Sequence, residues 1–343
     1  MLVYSIRRLL AAIPVLLAAS MFVFLLVDIS GDPVAELIFQ AEATGEPLSE
    51  EAQQEIAARL YHDRSMPERY WLWLTGWPGS AHNGDIGLIR GEFGPSTRGT
   101  AFDIGSDIAS RLATTLRLVG LATLLGIVLG IITGVISAVR QYSKTDHIIT
   151  FIGFLSLSMP VFWFGVLIKE VGVSINNAIG FRIFYTIGSQ SPVREGYSAW
   201  DNFTDIAGHL ILPTITLALV GYAVFSRFQR ASMLEVLGSD YVRLARAKGL
   251  RNGTVMRRHA LRTALIPVLT LVTIGIAGSI DGAVLTETVF QWQGLGRYFV
   301  DALGRTDTFA VMGFLMLSGT LVVVANLIAD LLYAVLDPRI RYD

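Results

Sequence analysis

An all-α membrane protein with six transmembrane helices and both termini cytoplasmic is what this sequence predicts, and three observations carry the prediction. Apolar residues make up 52% of the chain and charged residues only 16%, with a mean hydropathy of +0.54. A soluble chain of 343 residues rarely carries so little charge. Six runs are apolar enough to cross a bilayer, and the cations gather in the segments that would lie on one side of it.

The six runs are Leu9–Val27, Leu118–Val139, Ile148–Ile168, Leu210–Ser226, Thr263–Ile280 and Phe309–Ala329. A crossing takes roughly 20 residues of helix. In lipid such runs must be helical, because each backbone N–H and C=O has to be satisfied within its own segment. Placing the N-terminus inside puts 15 Lys/Arg in 66 inner residues, against 11 in 149 outer residues. That density difference of about threefold runs in the direction of the positive-inside rule. The first run follows Arg7-Arg8 and leads into Asp28-Ile-Ser-Gly-Asp32-Pro33 with no small-x-small site beside it. It is therefore expected to be a retained anchor and not a cleaved export signal. Three parts result: 1–28 with the first span, a long extracytoplasmic loop over 29–111, and a core of five spans over 112–343.

The outer loop begins with an acidic, helix-compatible stretch ending near Arg59-Leu60-Tyr61, followed by Tyr70-Trp71-Leu72-Trp73 and Trp77-Pro78-Gly79. It reads equally as a solvated, partly helical loop on the membrane surface or as a platform that receives an outside partner or lines the pore mouth. Asp103–Arg117 reads as an amphipathic helix leading into the second span, with Ile104, Ile108, Leu112 and Leu116 at four-residue spacing.

No reaction centre is visible. HExxH, GxSxG and a Walker A loop are missing, the five His are scattered, and the absence of Cys excludes disulfides and thiolate chemistry. The sequence predicts neither catalytic residue nor metal. An intramembrane enzyme would want paired catalytic groups at mid-membrane depth, and a stand-alone channel or carrier would want ionisable groups within its spans. The spans are built instead for close packing. Gly126, Gly130 and Gly134 place three small residues on one face of the second span, to meet either a helix of this subunit or a second subunit. Asn326 and Asp330 share a face of the sixth, where an inward-facing pairing role is expected. Pro160 and Pro213 are expected to kink the third and fourth.

The segment Arg227–Arg262 carries nine Lys/Arg against two acids. Leu234, Leu237, Tyr241 and Leu244 recur as one helical stripe. Ser239 or Asp240 suits the start of a shorter helix, and Gly249 suits a left-handed residue ending one, with Lys248 in its last turn. Asn252-Gly253-Thr254 then reads as a turn before a second helix. Beside a docking element, the loop also reads as a lipid-binding amphipathic helix or a simple topology anchor; a nucleic-acid patch is disfavoured so close to the bilayer.

Asp240-Tyr-Val-Arg-Leu-Ala-Arg-Ala-Lys-Gly-Leu250 with Arg258-His-Ala-Leu-Arg-Thr-Ala-Leu-Ile-Pro-Val268 resembles the signature loop of ABC-importer permeases, in the version of the dipeptide/oligopeptide/nickel group. Against the general pattern Glu-Ala-Ala-x3-Gly-x9-Ile-x-Leu-Pro, Gly249 and Leu261 match. Of Arg243, Leu244 and Ala245 only the last does, and His259 and Arg262 replace Ile and Pro. Ser158-Met-Pro-Val-Phe162, Glu287-Thr-Val-Phe290 with Gly294-Leu-Gly296, the Asn326…Asp330…Asp337-Pro-Arg-Ile-Arg-Tyr342 ending and Tyr4-Ser-Ile-Arg-Arg-Leu-Leu10 extend the resemblance to the B-type subunit.

The resemblance implies a non-catalytic transport subunit of the bacterial cytoplasmic membrane, forming half of a translocation path for di- or oligopeptides. Its implied partners are a second homologous permease, two ATP-binding subunits that bind ATP and Mg in this chain's stead, an extracytoplasmic peptide-binding protein, and the lipid bilayer. An ATPase-coupling element comprising Tyr241, Arg243, Leu244, Ala245, Ala247, Lys248 and Gly249 is implied within the loop 227–262. An outer-gate region at Glu287, Phe290, Gly294 and Gly296 is expected as a short re-entrant or surface helix.

Overall fold

The computed structural model describes residues 2–77 and 86–336. The Pro78-Gly79 turn and the Asp337–Tyr342 ending lie outside the described residues. The chain is mostly helical and divides into two compact units. One takes in Thr115–Trp292 and the chain from Val324 on, and the other takes in Leu2–Thr114 and Gln293–Val323.

In the second unit α1 (Leu2–Ser30) is followed by three short capped helices of the outer loop. Pro33 opens α2 (Pro33–Ala43), whose Asp32 cap accepts from the Val34 N–H at 2.8 Å. Ser49 caps α3 (Glu50–Arg59) and accepts from Ala52 N–H at 3.2 Å. This is the acidic helix the sequence predicts. A Ser65/Glu68 capping box starts α4 (Met66–Thr75), which stops at Gly76 with φ +69°.

Of the aromatics of α4, Trp73 packs inward, while Trp71 is 54% exposed. Trp73 and Phe24 of α1 are fully buried, and Tyr70 and Ser20 share a hydrogen bond of 2.9 Å. Arg69 pairs with Asp28 and donates to His62. Burial and that guanidinium hold the His62 imidazole below its usual range. A two-residue hairpin, β1 (Ile86–Gly87) with β2 (Glu92–Phe93), closes the loop. Farther on, Asp307 ahead of α14 (Thr308–Leu336) accepts from Ser96 Oγ at 2.6 Å and Thr97 N–H at 3.0 Å. Much of the outer loop is thus a packed structure and not a solvated tail.

The stretch expected as an amphipathic helix leading into the second span is the first part of α5 (Ile104–Val139). Ile104 and Ile108 are buried, but Leu116 is 44% exposed. Strict four-residue spacing precesses by about 40° per step, so the stripe rotates off the core after three steps.

The first unit contains α6 (Lys144–Ser158), α7 (Val161–Ile179), α8 (Ala199–Leu237), α9 (Asp240–Ala247) and α12 (Ile266–Val289). Between α9 and α12 lie α10 (Asn252–Thr254), a π-helical turn Val255–Leu261 and α11 (Arg262–Ala264), with α13 (Leu295–Gly304) in the other unit. The expected third span is not one straight helix. It breaks at Met159–Pro160, and α6 and α7 are bent by 114°. Pro160 has no N–H to continue the ladder, and it holds Met159 in extended backbone at φ −93°, ψ 131°. At Pro213, in contrast, α8 continues uninterrupted.

Four helices are long and apolar enough to cross a membrane among the described residues, or five if the bent pair counts as one span. The fifth predicted run falls largely within helical α12. The chain is a multi-pass membrane protein.

Candidate functional site

The expected coupling segment begins with a correction. The proposed stripe Leu234–Leu237–Tyr241–Leu244 does not lie on one helix. The fourth helix runs from Ala199 to Leu237, about 58 Å at 1.5 Å per residue, and so carries Arg227 and Arg230 beyond the apolar run. It stops at Gly238, and α9 starts afresh after Ser239, whose backbone is extended at φ −72°, ψ 152°. The Ser239 hydroxyl donates back to the Val236 carbonyl at 2.6 Å and does not cap α9. Asp240 in the first turn and Arg246 in the last complement the helix dipole.

Helix α9 has two distinct faces. Val242 and Ala245 are buried with Met233 of α8, Ala138 of α5, and Val255, Ala260 and Ala264 of the following segment. Tyr241 and Leu244 point the other way, 44% and 57% exposed, beside exposed Arg243, Ala247 and Lys248. Ala245 is therefore a core residue and offers nothing to a partner. The exposed Arg243–Asp240 pair, 3.8 Å apart, contributes little to stability.

Helix α9 ends where Gly249 takes φ +77° and donates to the Arg246 carbonyl at 2.9 Å. The chain resumes as helix at Asn252, so the predicted turn Asn252–Thr254 is instead the first turn of the next helical segment. Nothing lies within 4 Å of a Cβ built on Gly249, so any substitution cost there is backbone strain alone. Gly249→Asn is expected to be tolerated. Gly249→Val should insert normally yet uncouple ATP hydrolysis by partner subunits from uptake, since a β-branched residue resists positive φ. Parallel uptake and ATPase assays check this, and normal coupling in the Val variant would show that the left-handed turn at Gly249 is not needed for coupling.

The root of this element is tied by a clamp that sequence reasoning missed. Arg230 of α8 donates from Nε to Asp146 Oδ1 and from Nη2 to Oδ2, both at 2.9 Å. The buried Asp146 carboxylate also accepts from the Ser137 hydroxyl of α5 and from Tyr142 N–H at 2.9 Å. A bidentate guanidinium–carboxylate pair fixes orientation as well as distance. The available signal was Ser143-x-x-Asp146, a capping-box pattern. Ser143 does accept from Asp146 N–H at 3.2 Å, but the carboxylate turns to Arg230 instead of back to the cap.

The glycine face of α5 meets α8 of the same chain. A Cβ on Gly126 would stand 3.0 Å from the Ala218 carbonyl oxygen, and one on Gly130 2.6 Å from Phe225 Cβ. Asn326 and Asp330 are half-buried on α14.

The expected single helix over Glu287–Gly296 is not formed. Helix α12 runs to Val289, Gln291 adopts φ +49°, and Trp292 N–H returns to the Glu287 carbonyl at 2.8 Å. Glu287 is fully buried and accepts from the Thr115 hydroxyl at 2.6 Å. Phe290, 1% exposed, caps α12 and accepts through its carbonyl from Gly188 N–H at 2.9 Å. Gly294 is the N-cap of α13 and Gly296 lies in its buried first turn.

Residues 126–342 match the family described as "Binding-protein-dependent transport system inner membrane component". The chain is 35% identical over 338 residues to the oligopeptide transport system permease protein OppB of Mycobacterium tuberculosis, covering 98% of each. It is 36% identical over 343 residues to AppB of Bacillus subtilis, also an oligopeptide transport system permease protein, covering all of both. To the dipeptide transport system permease protein DppB of Escherichia coli it is 35% identical over 357 residues, covering 100% of this chain and 99% of that one. Among solved structures, the inward-facing MetNI methionine ABC transporter covers 67% of this chain and 96% of its own at 17% identity and a TM-score of 0.52, a likeness of fold. With its apolar helices and its two-faced α9 between α8 and α12, the chain belongs to the family of binding-protein-dependent transport system inner membrane components, the permease subunits of ABC transporters.

Proposed function

We propose that this chain is the B-type permease of a bacterial peptide importer, placed in the cytoplasmic membrane with both termini inside. In this reading it forms half of a path for di- or oligopeptides and is driven by two ATP-binding subunits. Full-length relatives in three bacteria, named for oligopeptide and dipeptide transport, support the substrate class. Membership of the family carries with it ATPase and transmembrane partners in general terms. The pairing with one homologous permease, the two ATP-binding chains and delivery by an extracytoplasmic peptide-binding protein are part of the proposal. ATP and Mg belong to the partner chains. An intramembrane enzyme and a stand-alone carrier are not favoured by these relatives.

The observation that carries the coupling role is the division of α9 into an exposed Tyr241–Leu244 face and a buried Val242–Ala245 face. A partner gripping the first moves the second. Close-packed contacts with Met233, Ala138 and Ala260 then pass that movement to the roots of α8, α5 and the segment leading into α12, because packed interiors yield little. In the outer-gate proposal, the buried Glu287–Thr115 bond and the Phe290 cap hold the far end of α12, while Gly294 and Gly296 start α13.

Tagging the chain, purifying it in mild detergent from its host and identifying stoichiometric partners tests the assembly. A second multi-span permease with ATP-binding chains is expected. Recovery of this chain alone, stable and monodisperse, would sink the reading. Tyr241→Asp with Leu244→Asp should cut the co-purifying ATP-binding chain about tenfold, corresponding to about 1.4 kcal/mol, while leaving the second permease in place. Unchanged recovery would move the docking surface elsewhere.

A further inference from the structure

Between α5 and α8 lies an open groove of about 840 Å³. Its walls are hydrocarbon, including Leu121, Leu124 and Val128 of α5 and Ile206 and Leu210 of α8. Arg117 and Thr214 are the polar side chains that line it among the described residues. Leu124 is 59% exposed, so this face awaits a cover.

Arg117 stands at one end. Its guanidinium lies 5.7 Å from the Trp292 ring centroid, and its buried Nε has no hydrogen-bond partner among the described residues. Among the described residues, the charged side chain that acts on it is a second cation, Arg194.

We propose that this groove binds one acyl chain of an anionic phospholipid, with the lipid's phosphodiester at Arg117. Three features select this occupant. The charge is complementary, because a partly buried guanidinium with a buried, unpartnered Nε calls for an anion. The length fits as well: Arg117 to Val128 spans about 16 Å of helix axis, close to the ~15 Å of hydrocarbon in one leaflet. At the same end, Phe203 lines the groove and stacks on Trp200 at 5.6 Å, with both rings well exposed, as aromatics are at the membrane interface. A peptide fits poorly, since its backbone N–H and C=O groups would find almost no partner along these walls. A second protein helix would bring its own apolar face but would need an acid opposite Arg117.

The test uses the full chain purified with its partners in mild detergent, and phosphatidylglycerol carrying a diazirine in one acyl chain. Photolabel is expected in the 121–128 and 206–215 segments. Unlabelled phosphatidylglycerol should compete at least fivefold better than phosphatidylcholine. Arg117→Gln should abolish that preference and Arg117→Lys should keep it. Leu124→Trp, placed on the exposed wall, should block labelling and leave the assembly intact.

The proposal is overturned if the two lipids compete equally on the unsubstituted chain, if Arg117→Gln keeps the preference, or if neither segment is labelled. Should Arg117→Gln not be recovered, the competition on the unsubstituted chain and Leu124→Trp decide. The chain has no Cys, so a single Leu124→Cys reports the remaining alternative. A disulfide or cross-link from it to a second polypeptide would assign the groove to a subunit interface and overturn the lipid site.

Discussion

Asp146→Ala is expected to lower the stability of the subunit by about 2–3 kcal/mol and to impair transport more than insertion. Removing one partner of a fully buried ion pair costs about 3–5 kcal/mol, because the remaining charge stays in the protein without compensation. The figure here is lower because Arg230 keeps 29% of its side chain exposed while Asp146 keeps only 5%. The carboxylate also holds the Ser137 hydroxyl and the Tyr142 N–H, so its loss frees the ends of α5 and α6 from α8 at once. In detergent the unfolding temperature should fall on the order of 5 °C. Replacing Asp146 and Arg230 together by apolar residues should restore much of the stability without restoring transport. An unchanged unfolding temperature in Asp146→Ala would show that the clamp is not formed.

Gly134→Val is expected to push α5 and α8 apart. A Cβ at Gly134 would lie 2.6 Å from Gln229 Cβ and 2.7 Å from the Ser226 carbonyl oxygen, and neither is the movable tip of a flexible side chain. Overpacking of this kind costs about 1–3 kcal/mol where a core can adjust. The upper end is expected here, because the helices must separate and the 2.9 Å contact between the Thr133 and Ser226 hydroxyls goes with them. Close backbone approach also supplies the dispersion that holds helices together in lipid. Gly120 on the same helix is the control: nothing lies within 4 Å of its Cβ, so Gly120→Ala should be neutral or stabilising by up to about 1 kcal/mol. Equal expression and equal unfolding temperature for the two variants would refute the packing role of the glycine face.

Much of the architecture was legible before any coordinates. Apolar length located the long helices, because a bilayer imposes that length. Local chemistry located some helix ends: Gly249 and the acidic stretch of α3 depend on neighbours a few residues away, which the sequence states directly. The Asp146 clamp was missed, since a carboxylate within reach of a guanidinium far along the chain prefers it to a neutral backbone N–H nearby. The stripe Leu234–Leu244 misled for a related reason. Spacing alone cannot show that Gly238 and Ser239 interrupt the helix between its members.

By itself the sequence determined that this chain lives in a membrane, where its apolar helices run, which residues could turn or pack closely, and to which permease family its signature loop is akin. Only the tertiary structure decided what those residues meet. Gly126, Gly130 and Gly134 pack on α8 and not on another subunit, Ala245 belongs to the core while Tyr241 and Leu244 face outward, and Asp146 is claimed by Arg230. The physical reason is range. Helix length, caps and φ preferences are set within one or two turns of chain, whereas the Asp146–Arg230 ion pair joins residues 84 positions apart and the Thr133–Ser226 hydroxyl pair residues 93 apart, and no local pattern encodes which partner arrives.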